Sequence, residues 1–147
     1  METMTQKDKE LLLKDLCARL FFGVKVLYNT QIFEVQYIEP MYEEIKLLDN
    51  ENYTLSIGEV KPYLFPLSSI TDEMLEELNA NGFFKYRDTI ANVSHLESKN
   101  SISEEFYTYV DIENISFLIE FFHSHHIDYR GIIEKGLAID ATGLNVY

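Results

Sequence analysis

The spacing of the hydrophobic residues changes twice along this chain, and this change constrains the fold more than any other feature. The first 23 residues carry leucines at helical spacing between an N-cap at Thr5 and a stop at Gly23. From residue 24 to about residue 57, apolar and polar residues alternate, which is typical of short antiparallel strands. Helical spacing returns after Thr71 and from about Ile112. The sequence therefore predicts an α+β fold: an N-terminal helix, a small bent antiparallel sheet with the spacing of an SH3-like half-barrel, and C-terminal helices.

We expect these elements to form one domain, because 147 residues suit a single hydrophobic core. The predicted segments of the domain 1–147 are a helix over 1–23, a strand-rich part over 24–66, and a mostly helical part over 67–147 with a polar loop near 85–103 and an extended or looped tail.

Two details of the strand-rich segment follow from local rules. Phe33, Val35 and Tyr37 alternate with polar residues, so they are predicted to lie on one side of a strand. Lys61-Pro62 and Phe65-Pro66 are predicted to close the segment, because proline cannot donate a hydrogen bond to a sheet.

The charge of the chain excludes one class of partner. It has 25 Asp and Glu residues against 12 Lys and Arg, a net charge of -13. A surface of this sign repels phosphate, whereas a nucleic-acid binder needs a basic stripe. We therefore expect no direct binding to DNA or RNA.

Cysteine content and hydropathy indicate a compartment. A single cysteine excludes an internal disulfide and fits a reducing environment. No apolar run approaches the roughly 20 residues that cross a bilayer, and the first four residues do not begin a signal segment. We expect a cytoplasmic protein that does not bind membranes.

The densest group of chemically capable side chains is His123, His125, His126 and Asp128. Neutral imidazoles are metal ligands, so His123, His126 and Asp128 form a candidate metal site. The alternative is that the histidines lie at a helix C-terminus, where positive charge is favoured, and that Asp128 caps the next turn. We favour the alternative, because the spacing matches no metal motif such as H-E-x-x-H.

Cys17 is a candidate nucleophile that His95 or His123 could activate. Its position on the apolar side of the first helix instead predicts a small buried residue with a raised thiol pKa. We therefore assign no catalytic role to it.

Pairs of adjacent carboxylates are also candidates for acid-base chemistry. They are Glu43 with Glu44, Glu76 with Glu77, and Glu104 with Glu105. General acid-base catalysis needs two carboxyls in different environments facing one cleft, and neighbouring residues on a strand face opposite ways.

Asp140-Ala141-Thr142-Gly143 matches no phosphate-binding motif and is predicted to be a turn stabilised by the Asp140 and Thr142 side chains. We therefore predict no catalytic residues and no cofactor.

Tyrosine is abundant, with 10 residues in the chain. Tyrosine is enriched at protein interfaces because it offers a large area with few rotatable bonds and a polar tip. The alternative is that most tyrosines lie at the edge of the core with a solvated hydroxyl. The excess is consistent with a protein-binding face.

Three blocks of the chain resemble an uncharacterised family of short proteins abundant in gut anaerobes and their prophages. They are residues 9–20 (KELLLKDLCARL), 59–72 (EVKPYLFPLSSITD) and 128–147 (DYRGIIEKGLAIDATGLNVY), and the short run Gly23-Val24-Lys25 matches as well. Phe21-Phe22 stands where the family pattern has Pro-Tyr, which lets the first helix run slightly longer here. The resemblance implies a phage or mobile-element context and assigns no catalytic or binding residues.

These observations leave three functional hypotheses. The first is a non-enzymatic acidic module that binds another protein. The second is a nucleic-acid mimic that blocks a basic DNA-handling or defence protein. The third is a small metal-dependent enzyme at His123, His125 and His126. We rank them in this order, and the sequence leaves the oligomeric state open.

Overall fold

The structure is a computed structural model that describes residues 4–50, 54–86, 89–92 and 112–147. In chain order its helices and strands are α1 (Gln6–Arg19), β1 (Lys25–Tyr28), β2 (Gln31–Glu39), β3 (Glu44–Leu47), β4 (Leu55–Ser56), β5 (Lys61–Pro66), α2 (Asp72–Ala80), β6 (Phe83–Tyr86), β7 (Thr89–Asn92), α3 (Ile112–Ser124), β8 (Ile127–Asp128) and β9 (Ile139–Asp140). The predicted α+β class is confirmed. The SH3-like arrangement stays a prediction.

The chain forms two compact units. The sheet unit comprises Met1–Pro66 and His123–Tyr147, and the inserted unit comprises Leu67–Phe122. The prediction of a single domain over 1–147 stays a prediction. No helix in the described ranges is both long enough and apolar enough to span a bilayer.

Helix α1 begins and ends where the sequence predicts. The Thr5 hydroxyl accepts a hydrogen bond from the Asp8 backbone N–H at 3.1 Å, and the Asp8 carboxylate accepts one from the Thr5 N–H at 3.4 Å. This capping box satisfies two of the donors that a helix start leaves unpaired. The helix tightens into a 3-10 turn at Leu20–Phe22 and ends at Gly23, whose φ of 72° is left-handed.

The main sheet has the order β4-β3-β2-β1-β5, with β8 and β9 both paired to β5. Strands β1 to β5 pair antiparallel with their neighbours, and β8 and β9 run parallel to β5. The inner side of the sheet packs against α1. Its buried core includes Leu12, Leu16, Val24, Val26, Val35, Ile45, Leu47, Leu55 and Leu64.

Strand β5 ends at Pro66, as predicted for Phe65-Pro66, and it corrects the prediction for Lys61-Pro62, which begins this strand instead of closing the region. The residues between the two prolines carry the pairing: the Leu64 carbonyl accepts from the Ala141 N–H at 2.8 Å, and the Phe65 N–H donates to His126 at 2.8 Å. Proline removes only its own donor, so a strand with prolines near its ends still forms a ladder.

Strand β2 corrects a second prediction. The register between β2 and β3 shifts between Val35 and Tyr37, because Val35 lies opposite Leu47 whereas Tyr37 lies opposite Lys46. Gln36 is thus the extra residue of a bulge, and a bulge reverses the alternation of sides beyond it. Val35 remains buried while Tyr37 is exposed, so the two lie on opposite sides of the sheet.

The predicted polar loop also differs from the structure, and the tail, which was predicted to be extended or looped, contains a short strand. Residues 139–140 form β9 within the main sheet, and Tyr63, Ala141 and Val146 form a small second core. In the inserted unit, β6 and β7 form an antiparallel hairpin, so the first part of the predicted loop near 85–103 is strand. Residues 93–103 and the paired carboxylates Glu104 and Glu105 lie outside the described residues.

The inserted unit otherwise follows the local signals. Thr71 caps α2 as predicted, since its hydroxyl accepts from the Met74 N–H at 3.2 Å. Leu78 and Phe83 are fully buried, and the Phe83 ring stacks on Phe117 with centroids 6.1 Å apart. Helix α3 begins at Ile112, also as predicted.

Candidate functional site

Asp128 has the structural role that we favoured over metal binding. One carboxylate oxygen, Oδ1, accepts from the backbone N–H groups of Arg130 at 3.2 Å and Ile132 at 3.1 Å, and Oδ2 accepts from Ile133 at 2.9 Å. A carboxylate that receives three backbone donors is a strong cap for the turn that follows it. The prediction that Asp128 caps the last turn is confirmed.

His123 is buried near the end of α3 and bonded to a tyrosine. Its Nε2 lies 2.8 Å from the Tyr129 hydroxyl. Burial, followed by the positive charge of Arg19, lowers the pKa of His123 below its ordinary value. Burial likewise raises the pKa of the Tyr129 hydroxyl. Both groups are therefore held in their neutral forms at neutral pH.

His126 lies just beyond the helix and stacks on the last tyrosine. The ring centroids of His126 and Tyr147 are 3.6 Å apart at an interplanar angle of 11°. Burial is the main reason that the pKa of His126 falls to about 4, with Arg19 adding repulsion. Among the described residues, no group of three or more His, Cys, Asp or Glu side chains is arranged to hold a metal ion. The structure thus does not bring His123, His126 and Asp128 together as a ligand set.

A buried charge cluster, which the sequence did not reveal, connects α1 to the segment after α3. We use this name for Asp15, Arg19, Tyr129 and Arg130. The Asp15 carboxylate accepts from Arg19 Nε at 2.8 Å through Oδ2 and from Arg130 Nε at 3.1 Å through Oδ1. Arg19 also donates to the Ile127 carbonyl at 2.6 Å. The Asp15 and Arg19 side chains are 0% exposed.

Tyr129 completes the cluster between the two guanidiniums. The Arg130 guanidinium carbon is 4.9 Å from the centre of the Tyr129 ring, and that of Arg19 is 5.6 Å away. Each contact is a cation–π interaction at useful range. The hydrogen bonds and ring contacts make the cluster a structural anchor, since each charge in it has a partner.

The sequence did carry one signal for this cluster. Asp15 and Arg19 are four residues apart and share a helix face with Leu12 and Leu16, so their side chains point into the core. Charged residues on an apolar face are almost never buried unless they are paired. Their spacing was compatible with such a pair, but the third charge, Arg130, comes from more than a hundred residues away.

Cys17 corrects the prediction of a buried thiol. It is exposed, because the buried side of α1 is formed by Leu12, Asp15, Leu16 and Arg19. Partial desolvation by its neighbours nevertheless raises the thiol pKa. His95, one of the two histidines proposed to activate it, lies outside the described residues.

The acidic pairs in the described ranges have ordinary surroundings. The Glu43 carboxylate accepts from the Gln6 side-chain amide at 3.2 and 3.3 Å, and Glu44 lies in β3 opposite Glu39. Glu76 and Glu77 are exposed on α2. At the predicted turn, the Asp140 carboxylate accepts from the Thr142 N–H at 2.9 Å. Hydrogen bonding from the Thr142 hydroxyl, and secondly from this N–H, lowers the pKa of Asp140. The prediction of this turn is confirmed.

Exposed apolar side chains are concentrated around β2 and β3. Of the nine exposed large apolar residues in the described ranges, five fall within residues 32–48. We call these five the β2–β3 surface: Ile32, Tyr37, Met41, Tyr42 and Leu48. Met41 and Tyr42, on the 3-10 turn between the strands, are 80% and 68% exposed. These residues lie on one strand pair, on its connecting turn and directly after it, and contiguous exposed apolar patches mark interaction sites more often than isolated residues do.

Comparisons with protein-family models, curated proteins and solved structures find no match to this chain.

Proposed function

We propose that the chain is a non-enzymatic acidic module that binds another protein through the β2–β3 surface. The observation that carries this proposal is the concentration of exposed apolar side chains there, led by Met41 and Tyr42. Exposed methionine and tyrosine supply adaptable and rigid contact area, respectively, and tyrosine is enriched at interfaces.

The negative charge beside the β2–β3 surface favours a partner with a basic rim. Glu39 is exposed beside Tyr37, and Glu43 and Glu44 are partly exposed after Tyr42. The chain as a whole carries a net charge of -13. An acidic rim around apolar contacts steers a basic partner and disfavours acidic ones. On the family resemblance we further propose that this module acts in the cytoplasm in a phage or prophage context.

The test compares capture of proteins from a bacterial lysate by the chain and by two variants. One variant replaces both Met41 and Tyr42 with serine. The control replaces Leu144, which is also exposed but lies outside the β2–β3 surface, with serine. Capture is done at about 0.1 M and about 1 M salt, between which the Debye length falls from about 10 Å to about 3 Å.

The proposal expects a captured protein that survives high salt and is lost only with the double variant. A nucleic-acid mimic would instead lose its partner at high salt in every form of the chain, because its contacts are electrostatic. Capture that is equal for the double variant and the control contradicts the proposal.

A further inference from the structure

The outward side of β2 and β3 carries a line of apolar side chains. Ile32 and Tyr37 lie on β2 with the Glu34 side chain between them, and Leu48 follows β3, where its N–H donates to the Glu34 carbonyl at 2.9 Å. The five-residue step from Ile32 to Tyr37 corresponds to roughly 16 Å along an extended strand, and the bulge shortens this distance slightly. The bulge at Gln36 places Tyr37 on this side rather than in the core.

The same side carries a like-charge pair. Glu39 and Glu44 are direct cross-strand partners in the β2–β3 ladder. Like charges directly opposite in an antiparallel pair destabilise the sheet, and a cation placed over them relieves the repulsion. Lys46 is opposite Tyr37 and is the cation of this part of β3. Lys25 on β1 is the cross-strand partner of Glu34, so this side of β1 to β3 carries three carboxylates, Glu34, Glu39 and Glu44, against two lysines.

The backbone of these strands restricts what can bind. β2 pairs with β1 on one side and with β3 on the other, and β3 pairs with both β2 and β4. An added strand gains its affinity from unpaired backbone groups at a sheet edge, which this side does not offer. A helix packs on a sheet through side chains alone, and its diameter of about 10 Å covers two strands spaced about 4.8 Å apart.

We propose that the occupant of this side is a cationic amphipathic helix of a partner protein, lying along β2 over Ile32, Tyr37 and Leu48. Its apolar stripe contacts these three side chains, and its lysines or arginines contact Glu39 and Glu44. A line of roughly 15 Å corresponds to about three helical turns, so the helix has at least about ten residues. This inference rests on the proposed function and specifies its partner.

The test uses three synthetic peptides of 14 residues, with the full chain as receptor. The first has leucines at helical spacing and lysines elsewhere; the second has the same composition in scrambled order; the third replaces each lysine of the first with glutamate. Binding is measured by calorimetry, and the contact is mapped by amide NMR shifts. We expect binding of the first peptide only, with shifts confined to β2 and β3.

Two variants and one control locate the contact. Tyr37→Ser removes an exposed ring without opening the core, and it is expected to weaken binding by about tenfold to thirtyfold. Glu39→Gln is expected to weaken binding severalfold and to reduce its salt dependence. Glu10→Gln, a change at an exposed residue of α1, which packs against the opposite side of the sheet, is expected to leave binding unchanged.

Two outcomes overturn the inference. One is equal binding of the ordered and scrambled cationic peptides, which would indicate charge attraction without a helical stripe. The other is no binding at all. If capture of a lysate protein still depends on Met41 and Tyr42 in that case, the proposed function stands and only the helical partner is wrong.

Discussion

Neutralising Asp15 tests whether the buried charge cluster anchors the sheet unit. In Asp15→Asn the side chain keeps its shape and loses its charge. One oxygen can still accept from one guanidinium, but the new amide group presents a donor to the other. Arg19, which is fully buried, then has no counter-ion.

The expected loss of stability follows from the geometry. Two unit charges about 4 Å apart attract by about 4 kcal/mol at an effective dielectric constant of 20. Breaking a buried ion pair from one side commonly costs about 3–5 kcal/mol, because the remaining charge stays desolvated. Asp15 pairs with Arg19 at 2.8 Å and with Arg130 at 3.1 Å, so we expect a loss within that range.

The assay is urea unfolding followed by circular dichroism and by amide signals of the sheet unit. Glu10→Gln on the exposed side of α1 is the matched control and should change the free energy of unfolding by no more than about 0.5 kcal/mol. Arg130→Met removes the more exposed arginine and should cost about 1–2 kcal/mol. A loss below about 1 kcal/mol for Asp15→Asn would refute the anchoring role.

Three further predictions concern single groups. His126 has a folded-state pKa of about 4 against an ordinary 6.5, so the unfolded chain takes up the proton first. The stabilisation by neutral His126 is therefore present above about pH 6.5 and is lost as pH falls toward 4. We expect the free energy of unfolding, measured by urea unfolding across pH, to fall by about 1–2 kcal/mol over this range, after allowing for partial exposure of the ring. His126→Phe should show a flatter dependence of this free energy on pH. Asp128→Ala should cost about 2–3 kcal/mol in the same unfolding assay, since three backbone donors lose their acceptor; an unchanged midpoint would contradict this. Cys17 should react with a thiol reagent in the folded protein, more slowly at neutral pH than a model thiol and faster as pH rises, because it is exposed but its pKa is raised; complete protection would contradict it.

Local rules accounted for the parts of the fold that depend on neighbouring residues. The caps at Thr5 and Thr71, the β1–β2 hairpin and the turn at Asp140 are each set by residues a few positions apart. Such signals are visible in a single sequence because the partner of each group lies within one turn or one hairpin.

The elements that were missed or misplaced depend on distant partners. β8 and β9 are two residues long and have no period of their own, so their pairing with β5 leaves no local trace. The start of β5 at Lys61-Pro62 was misjudged because proline signals a strand end only where its missing donor is needed. The bulge at Gln36 was invisible because β3 sets the register that it shifts.

The same distinction between local and distant partners separates the site residues that were predicted from those that were not. Asp128 was identified as a cap because its donors follow it directly in sequence. The third charge of the buried cluster was missed because Arg130 and Asp15 are brought together only by the fold. The tyrosine excess indicated a binding face without placing it on β2 and β3, because Tyr37 appears in sequence to share a side with the buried Val35.

The acidity of the β2–β3 surface selects against a second copy of the chain. The buried cluster uses one acid and two arginines, so the remainder of the chain is more acidic than the total of -13. A symmetric dimer through this surface would bring Glu39 and Glu44 of both copies together, and like charges across an interface cost several kcal/mol. We therefore expect a monomer by analytical ultracentrifugation at low salt, with self-association through the apolar side chains appearing only as salt screens the carboxylates. A dimer that is stable at low salt and unaffected by Tyr37→Ser would show that a different surface mediates pairing and that the charge argument does not govern self-association.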